Sequence, residues 1–90
     1  LYCENVANMS LHCFTFGHPA DEAPLIILNQ CRNIQISGNL PIGHNDNMLQ
    51  VEGTDSSHIL LYNNDLSVYK KPVVFERGAG KEAVRLTGNF

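Results

Sequence analysis

The chain has no tryptophan, and only 17% of its residues are charged. The first lack weakens a reading as a dedicated carbohydrate-binding module, since the largest aromatic stacking surface is missing. Six Lys and Arg stand against nine Asp and Glu, for a net charge of −3. That leaves no basic footprint for nucleic acid, so no nucleic-acid partner is expected. No apolar run approaches the roughly 18 residues needed to span a membrane, and no membrane partner is expected. Phosphate-cradling Gly loops are absent and no cofactor is expected. Helical periodicity is absent throughout. No signal-peptide pattern opens the chain. It starts on Leu1 rather than Met, which gives the expectation of a piece excised from a longer protein.

Cysteine is also sparse. Cys3, Cys13 and Cys31 are too few for a disulfide framework. They read as small buried hydrophobes, with a single disulfide as the alternative. No close Cys/His spacing suggests a metal site.

What the chain does have is a repeat. Ile59, Leu61 and Asn64 are echoed by Ile34, Ile36 and Asn39, and again by Val84, Leu86 and Asn89. Met9 and Leu11 match the two apolar positions, with Phe14 in the place of the Asn. The offset is 25 residues each time, and a constant offset signals stacked structural units. Within each unit, alternation such as Ile34-x-Ile36 predicts a strand with one face buried. A second short apolar run comes about fifteen residues later: Pro24–Leu28, Met48–Val51 and Pro72–Phe75. A third, weaker strand is predicted after each corner, at Phe14–Phe16, Leu40–Ile42 and Leu66–Tyr69. Gly38-Asn39, Asn63-Asn64 and Gly88-Asn89 mark tight corners where left-handed backbone is tolerated.

Three short strands per unit and no helix describe an all-β fold: a right-handed parallel β-helix of about three and a half 25-residue coils. Residues one repeat apart stack at about 4.8 Å. Asn39, Asn64 and Asn89 would form a structural ladder of side-chain amides. The alternative is a leucine-rich repeat, because Ile59-x-Leu61-x-x-Asn64-x-Leu66 fits its core. Residues 1–90 form one segment, expected to be the C-terminal part of a longer protein.

The Asn corner and the Gly/Ser-rich loops resemble the right-handed β-helix of the pectin-lyase superfamily. The pattern from Asp21 to Leu66 is most similar to the late coils of glycoside hydrolase family 28, the polygalacturonases and rhamnogalacturonan galacturonidases. That family's active site uses Asn-Thr-Asp, an Asp-Asp pair, Gly-His-Gly and Arg-Ile-Lys. Here Asn45-Asp46-Asn47, Gly17-His18-Pro19 and Gly43-His44-Asn45 fall short of those motifs. The resemblance therefore implies a polysaccharide-hydrolase parent and a chain without catalytic residues of its own.

Asp21, Asp46 and Lys71 share one column by the 25-residue count, with Glu22 beside the first. Stacked carboxylates could serve glycosidase chemistry. The plainer reading is a solvated loop in which Lys71 offsets Asp46, and a third is contact with sugar hydroxyls. His18 and His44 lie in loops near that column. His12 and His58 sit on or beside the first strand and read as packing residues. Phe75 reads as core, and Tyr62 lies between inward columns and is expected to face out. Candidate substrate contacts are accordingly Asp21, Glu22, His44, Asp46 and Tyr62. No Ser or Cys stands beside a His in a recognised nucleophile turn.

The leading functional expectation is a non-catalytic C-terminal segment of a secreted, periplasmic or cell-surface polygalacturonase-like enzyme. It would close the solenoid and line distal sugar subsites of a pectin-like polysaccharide. The alternatives are a glycan-binding or adhesion module and a structural solenoid acting in assembly. Uncapped ends of stacked strands also predict self-association.

Overall fold

A computed structural model describes residues 1–13, 24–39 and 46–90. Among them the fold is all-β. The strands are β1 (Tyr2–Glu4), β2 (Ala7–His12), β3 (Ile26–Asn29), β4 (Arg32–Ser37), β5 (Leu49–Glu52), β6 (Ser57–Tyr62), β7 (Val73–Glu76) and β8 (Val84–Thr87). A single 3-10 turn, Lys81–Ala83, precedes β8. The odd strands form one four-stranded sheet, β1-β3-β5-β7, and the even strands form the other, β2-β4-β6-β8. Every pairing is parallel.

The register explains the sequence pattern. In the even sheet Met9 pairs with Ile34, Ile34 with Ile59 and Ile59 with Val84. In the odd sheet the stacking is less regular. Ile27 pairs with Tyr2 below and Gln50 above, and Gln50 with Val74. The 25-residue spacing thus holds throughout the even sheet, whereas in the odd sheet it holds from β1 to β3 and then falls to 23 and 24.

Period-2 alternation sends one set of side chains between the sheets. Ile26, Leu28, Ile34, Ile36, Leu49, Val51 and Leu61 are fully buried there, while Gln35 between two of them is exposed. Burying each such side chain contributes about 1.5–3 kcal/mol. The first and last pairs of strands pack on one side only. Met9, Leu11, Val73, Phe75 and Val84 are partly buried, and Leu86 is 56% exposed.

The corners turn on left-handed residues. Cys13, Gly38, Asn63 and Gly88 all have positive φ, one at each equivalent corner after an even strand. Gly at two of these leaves room for what lies beneath. A Cβ on Gly38 would stand 2.7 Å from Cys13 Sγ, and one on Gly88 would stand 2.7 Å from Asn63 Oδ1. A side chain therefore occupies the space above every second corner.

Several expectations need correction. Leu66–Tyr69 is a turn, not a third strand. Asp65 Oδ1 accepts bonds from the Ser67 N–H at 3.0 Å and hydroxyl at 2.6 Å, and the Tyr69 N–H returns to Leu66 O at 3.2 Å. That side-chain closure competes with extended backbone. The other two third-strand segments, Phe14–Phe16 and Leu40–Ile42, lie outside the described residues. Cys13 is exposed rather than buried, because its corner backbone turns it away from the core. His58 is exposed too, with a left-handed φ of 53° inside β6. Phe75 is only half-buried, since nothing described stacks above β7.

Candidate functional site

The Asn corner is a closed polar network. Asn64, fully buried, accepts on Oδ1 from the Asn39 N–H at 3.1 Å and Nδ2 at 2.8 Å. Its own N–H and Nδ2 donate to Asn89 Oδ1 at 3.0 and 3.2 Å. Asn64 Nδ2 also donates to Ile36 O at 3.0 Å and Tyr62 O at 3.2 Å, and Asn89 Nδ2 donates to Leu61 O at 2.8 Å. The Asn64 and Asn89 amides satisfy backbone groups that the corner takes out of the strand ladder, as buried polar groups require. With its donors and acceptor so engaged, Asn64 holds the corner together and offers nothing to a ligand.

Of the candidate contact residues, Asp21, Glu22 and His44 lie outside the described residues, as does His18. Asp46 is half-exposed, and its Oδ1 stands 3.9 Å from Lys70 Nζ. The Lys71 side chain was the expected partner. Leu49 pairs with Val73, an offset of 24, and this brings Lys70 over Asp46 while Lys71 bonds it only through backbone, N–H to O at 3.1 Å. At this exposure the ion pair is worth little.

Tyr62 lies on the outward face of β6, half-exposed. Its ring meets His12 edge-on, centroids 6.4 Å apart at 72°. His12, Ser37 and Tyr62 are register partners across β2, β4 and β6. The Ser37 hydroxyl and His12 Nδ1 are hydrogen-bonded. A Ser–His contact raises the question of a nucleophile and its base. Two observations answer it. Among the described residues no carboxylate pairs with His12. The N–H groups that follow Ser37 are already committed, Gly38 to Asn63 O and Asn39 to Asn64 Oδ1, each at 3.1 Å. No donors remain there for an oxyanion.

The odd sheet brings together carboxylates that a 25-residue count keeps apart. Glu52 and Glu76 are partners on β5 and β7, so their backbones lie about 4.8 Å apart. Glycosidases place their carboxyl pairs at roughly 5–10 Å. Glu52, however, is bound on both oxygens. Oε2 accepts from Gln50 Nε2 at 2.6 Å, and Oε1 lies 3.3 Å from Arg77 Nε. The arrangement is a polar tie across the sheet face. A count of 25 missed it because β7 follows β5 at an offset of 24.

The outward face of the even sheet also carries a groove of about 510 Å³. Leu60 and Ala83 form its floor, and Asn33, Gln35, His58, Glu82 and Arg85 its rim. The 3-10 turn supplies Glu82 and the left-handed backbone at Asn33 and His58 the opposite wall. No hydrogen bond or ion pair among the described residues engages the side chains of Gln35, His58, Glu82 or Arg85. Tyr62 stands two residues along β6 from Leu60 and so faces the same way. The sequence signal for this face was the outward parity of Gln35, Leu60, Tyr62 and Arg85. Among the described residues no group of His, Cys, Asp and Glu could hold a metal. Compared with known protein families, curated proteins and solved structures, the chain matches none.

Proposed function

We propose that the two stacked sheets are the described part of a right-handed parallel β-helix. In this reading the chain is a non-catalytic segment of a polysaccharide-degrading enzyme, resembling the late coils of glycoside hydrolase family 28. It extends the solenoid, works outside the cytoplasm and lines distal sugar subsites. The observation that carries the reading is the shared outward face of Tyr62 and the groove at Gln35, Leu60 and Arg85. An aromatic ring beside an apolar floor with unengaged polar side chains suits a sugar ring, which has apolar faces and a hydroxyl rim. Supporting it further, the Ser37–His12 pair and the Glu52–Glu76 pair each lack what catalysis needs.

The test is a titration of the chain with galacturonic acid oligosaccharides, followed by amide chemical shifts. Shifts should cluster on β4, β6 and β8. Tyr62→Ala should weaken binding about fivefold, since an aromatic contact contributes about 1 kcal/mol beyond its area. Binding of unrelated glycans at the same face would favour an adhesion module instead. No binding across a pectin-oligosaccharide panel would overturn the glycan reading and leave a solenoid acting in assembly.

A further inference from the structure

Cys3 and Cys31 lie 28 residues apart in the chain, yet the Cys31 Sγ stands 3.4 Å from the carbonyl oxygen of Cys3. We infer that these two thiols are a modification site: they join as an intrachain disulfide that clips β1 to the corner before β4. A carbonyl oxygen lies about 2.4 Å from its own Cα, so Cys31 Sγ is within about 6 Å of Cys3 Cα. A bridge forms once the two Cα atoms stand about 4.4–6.8 Å apart, and contact between the Cys31 sulfur and the Cys3 backbone brings the two residues together. Side-chain direction agrees. Cys3 is the register partner of Leu28, a fully buried core residue, and itself packs partly buried against that core. Cys31 is fully buried in the same interior.

The third cysteine does not compete. Cys13 sits at an exposed corner after β2, on the other sheet, with its Sγ against Gly38. Both members of the pair are free thiols in the structure, and their proximity has an electrostatic trace. Burial, then the neighbouring Cys31, pushes the Cys3 thiol above its ordinary range. Thiolate is the attacking species, so closure is faster in mildly alkaline solution.

Closure proceeds by exchange with a small-molecule disulfide such as oxidised glutathione. Cys3, the more accessible thiol, gives up its proton and attacks one sulfur. A protein–glutathione mixed disulfide forms and one glutathione thiol leaves. Cys31 then attacks the Cys3 sulfur, and the second glutathione leaves with the second proton. Two protein thiols are oxidised and one glutathione disulfide is reduced. The bridge would secure the layer that packs on one side only, where Cys3, Met9 and Leu11 are incompletely buried. It also suits an oxidising compartment, independently of what the outward face binds.

The experiment refolds the full chain from denaturant in a buffer of oxidised and reduced glutathione at pH 8, so that burial of Cys31 does not block access. Proteolysis and mass spectrometry should return a Cys3–Cys31 linked peptide, a mass loss of about 2 Da from the two hydrogens removed, and Cys13 still open to alkylation. The bridged chain should melt roughly 10 °C or more above its reduced form. Cys13→Ser should give the same bridge, and Cys3→Ser should give none. A persistent mixed disulfide without the 2 Da loss would overturn the inference. So would a crosslink through Cys13, or a bridged form that melts below the reduced one.

Discussion

Asn64→Ala should be among the most damaging single changes in the chain. The side chain leaves behind two kinds of stranded group. The Asn39 N–H loses its acceptor Oδ1, and the Ile36 carbonyl loses the Nδ2 donor. Asn39 is 6% exposed and Ile36 fully buried, so water reaches neither easily. An unsatisfied buried group costs about 1–3 kcal/mol. Two of them put the loss at about 3–4 kcal/mol, against a total of about 5–15 kcal/mol for a domain. Asn89→Ala is the internal control. It strands the Asn64 N–H and the Leu61 carbonyl, which belong to fully buried residues, but losing the half-exposed Asn89 side chain opens a path for water to both. Its cost should be about 1–2 kcal/mol, because water can substitute. Urea unfolding followed by far-ultraviolet circular dichroism measures both, with the m-value as a check that the unfolded states match. An Asn64→Ala loss under about 1 kcal/mol, or one no larger than that of Asn89→Ala, would refute the view that this ladder holds the corner.

Two further outcomes follow from the same structure. Burial, and then the charge of Asp65, raises the Tyr69 phenol above its ordinary value of 10.0. The neutral phenol is the form favoured by folding, so its contribution is full below the unfolded value and fades as pH rises through the folded one. Phenolate absorbance should show Tyr69 ionising late, and Tyr69→Phe should remove that late step. At the β7–β8 end, Leu66, Val73, Phe75 and Leu86 line an apolar trough of about 280 Å³. With Leu86 and Phe90 56% and 77% exposed, the chain should self-associate as concentration rises in sedimentation, and Leu86→Lys should suppress it.

Alternation at Ile34-x-Ile36 and Ile59-x-Leu61 was enough to identify the even strands, their inward residues and their pairing. The corner at Gly38, Asn63 and Gly88 was readable because Gly and Asn accept positive φ. His58 and Cys13 adopt it too, and residue type gives little warning of that. The Leu66–Tyr69 run looked apolar enough for a strand, but the Asp65 carboxylate folds the backbone into a turn. The site was less legible. Counting by 25 aligned Asp46 with Lys71, whereas the odd sheet steps differently and delivers Lys70. The same shift hid the Glu52–Glu76 neighbours. Ser37 and His12 are 25 apart and could have been matched by subtraction. Outward columns are less legible than inward ones because their polar residues vary from one strand to the next.

The two sheets keep different time. From Leu28 to Ile34 the chain advances six residues, and from Val51 to Ile59 it advances eight, yet Ile34 still pairs with Ile59. The surplus is cancelled by a shorter passage into β5. A block cut within the even strands therefore maps every side chain onto its equivalent. A 25-residue cassette copied from Arg32 through Ser56 and spliced before Ser57 would lengthen the protein without a seam. A cassette of equal length cut inside β3 and β5, whose partners stand 23 residues apart, would enter two residues out of step, keeping its inward face but delivering the next corner two residues late.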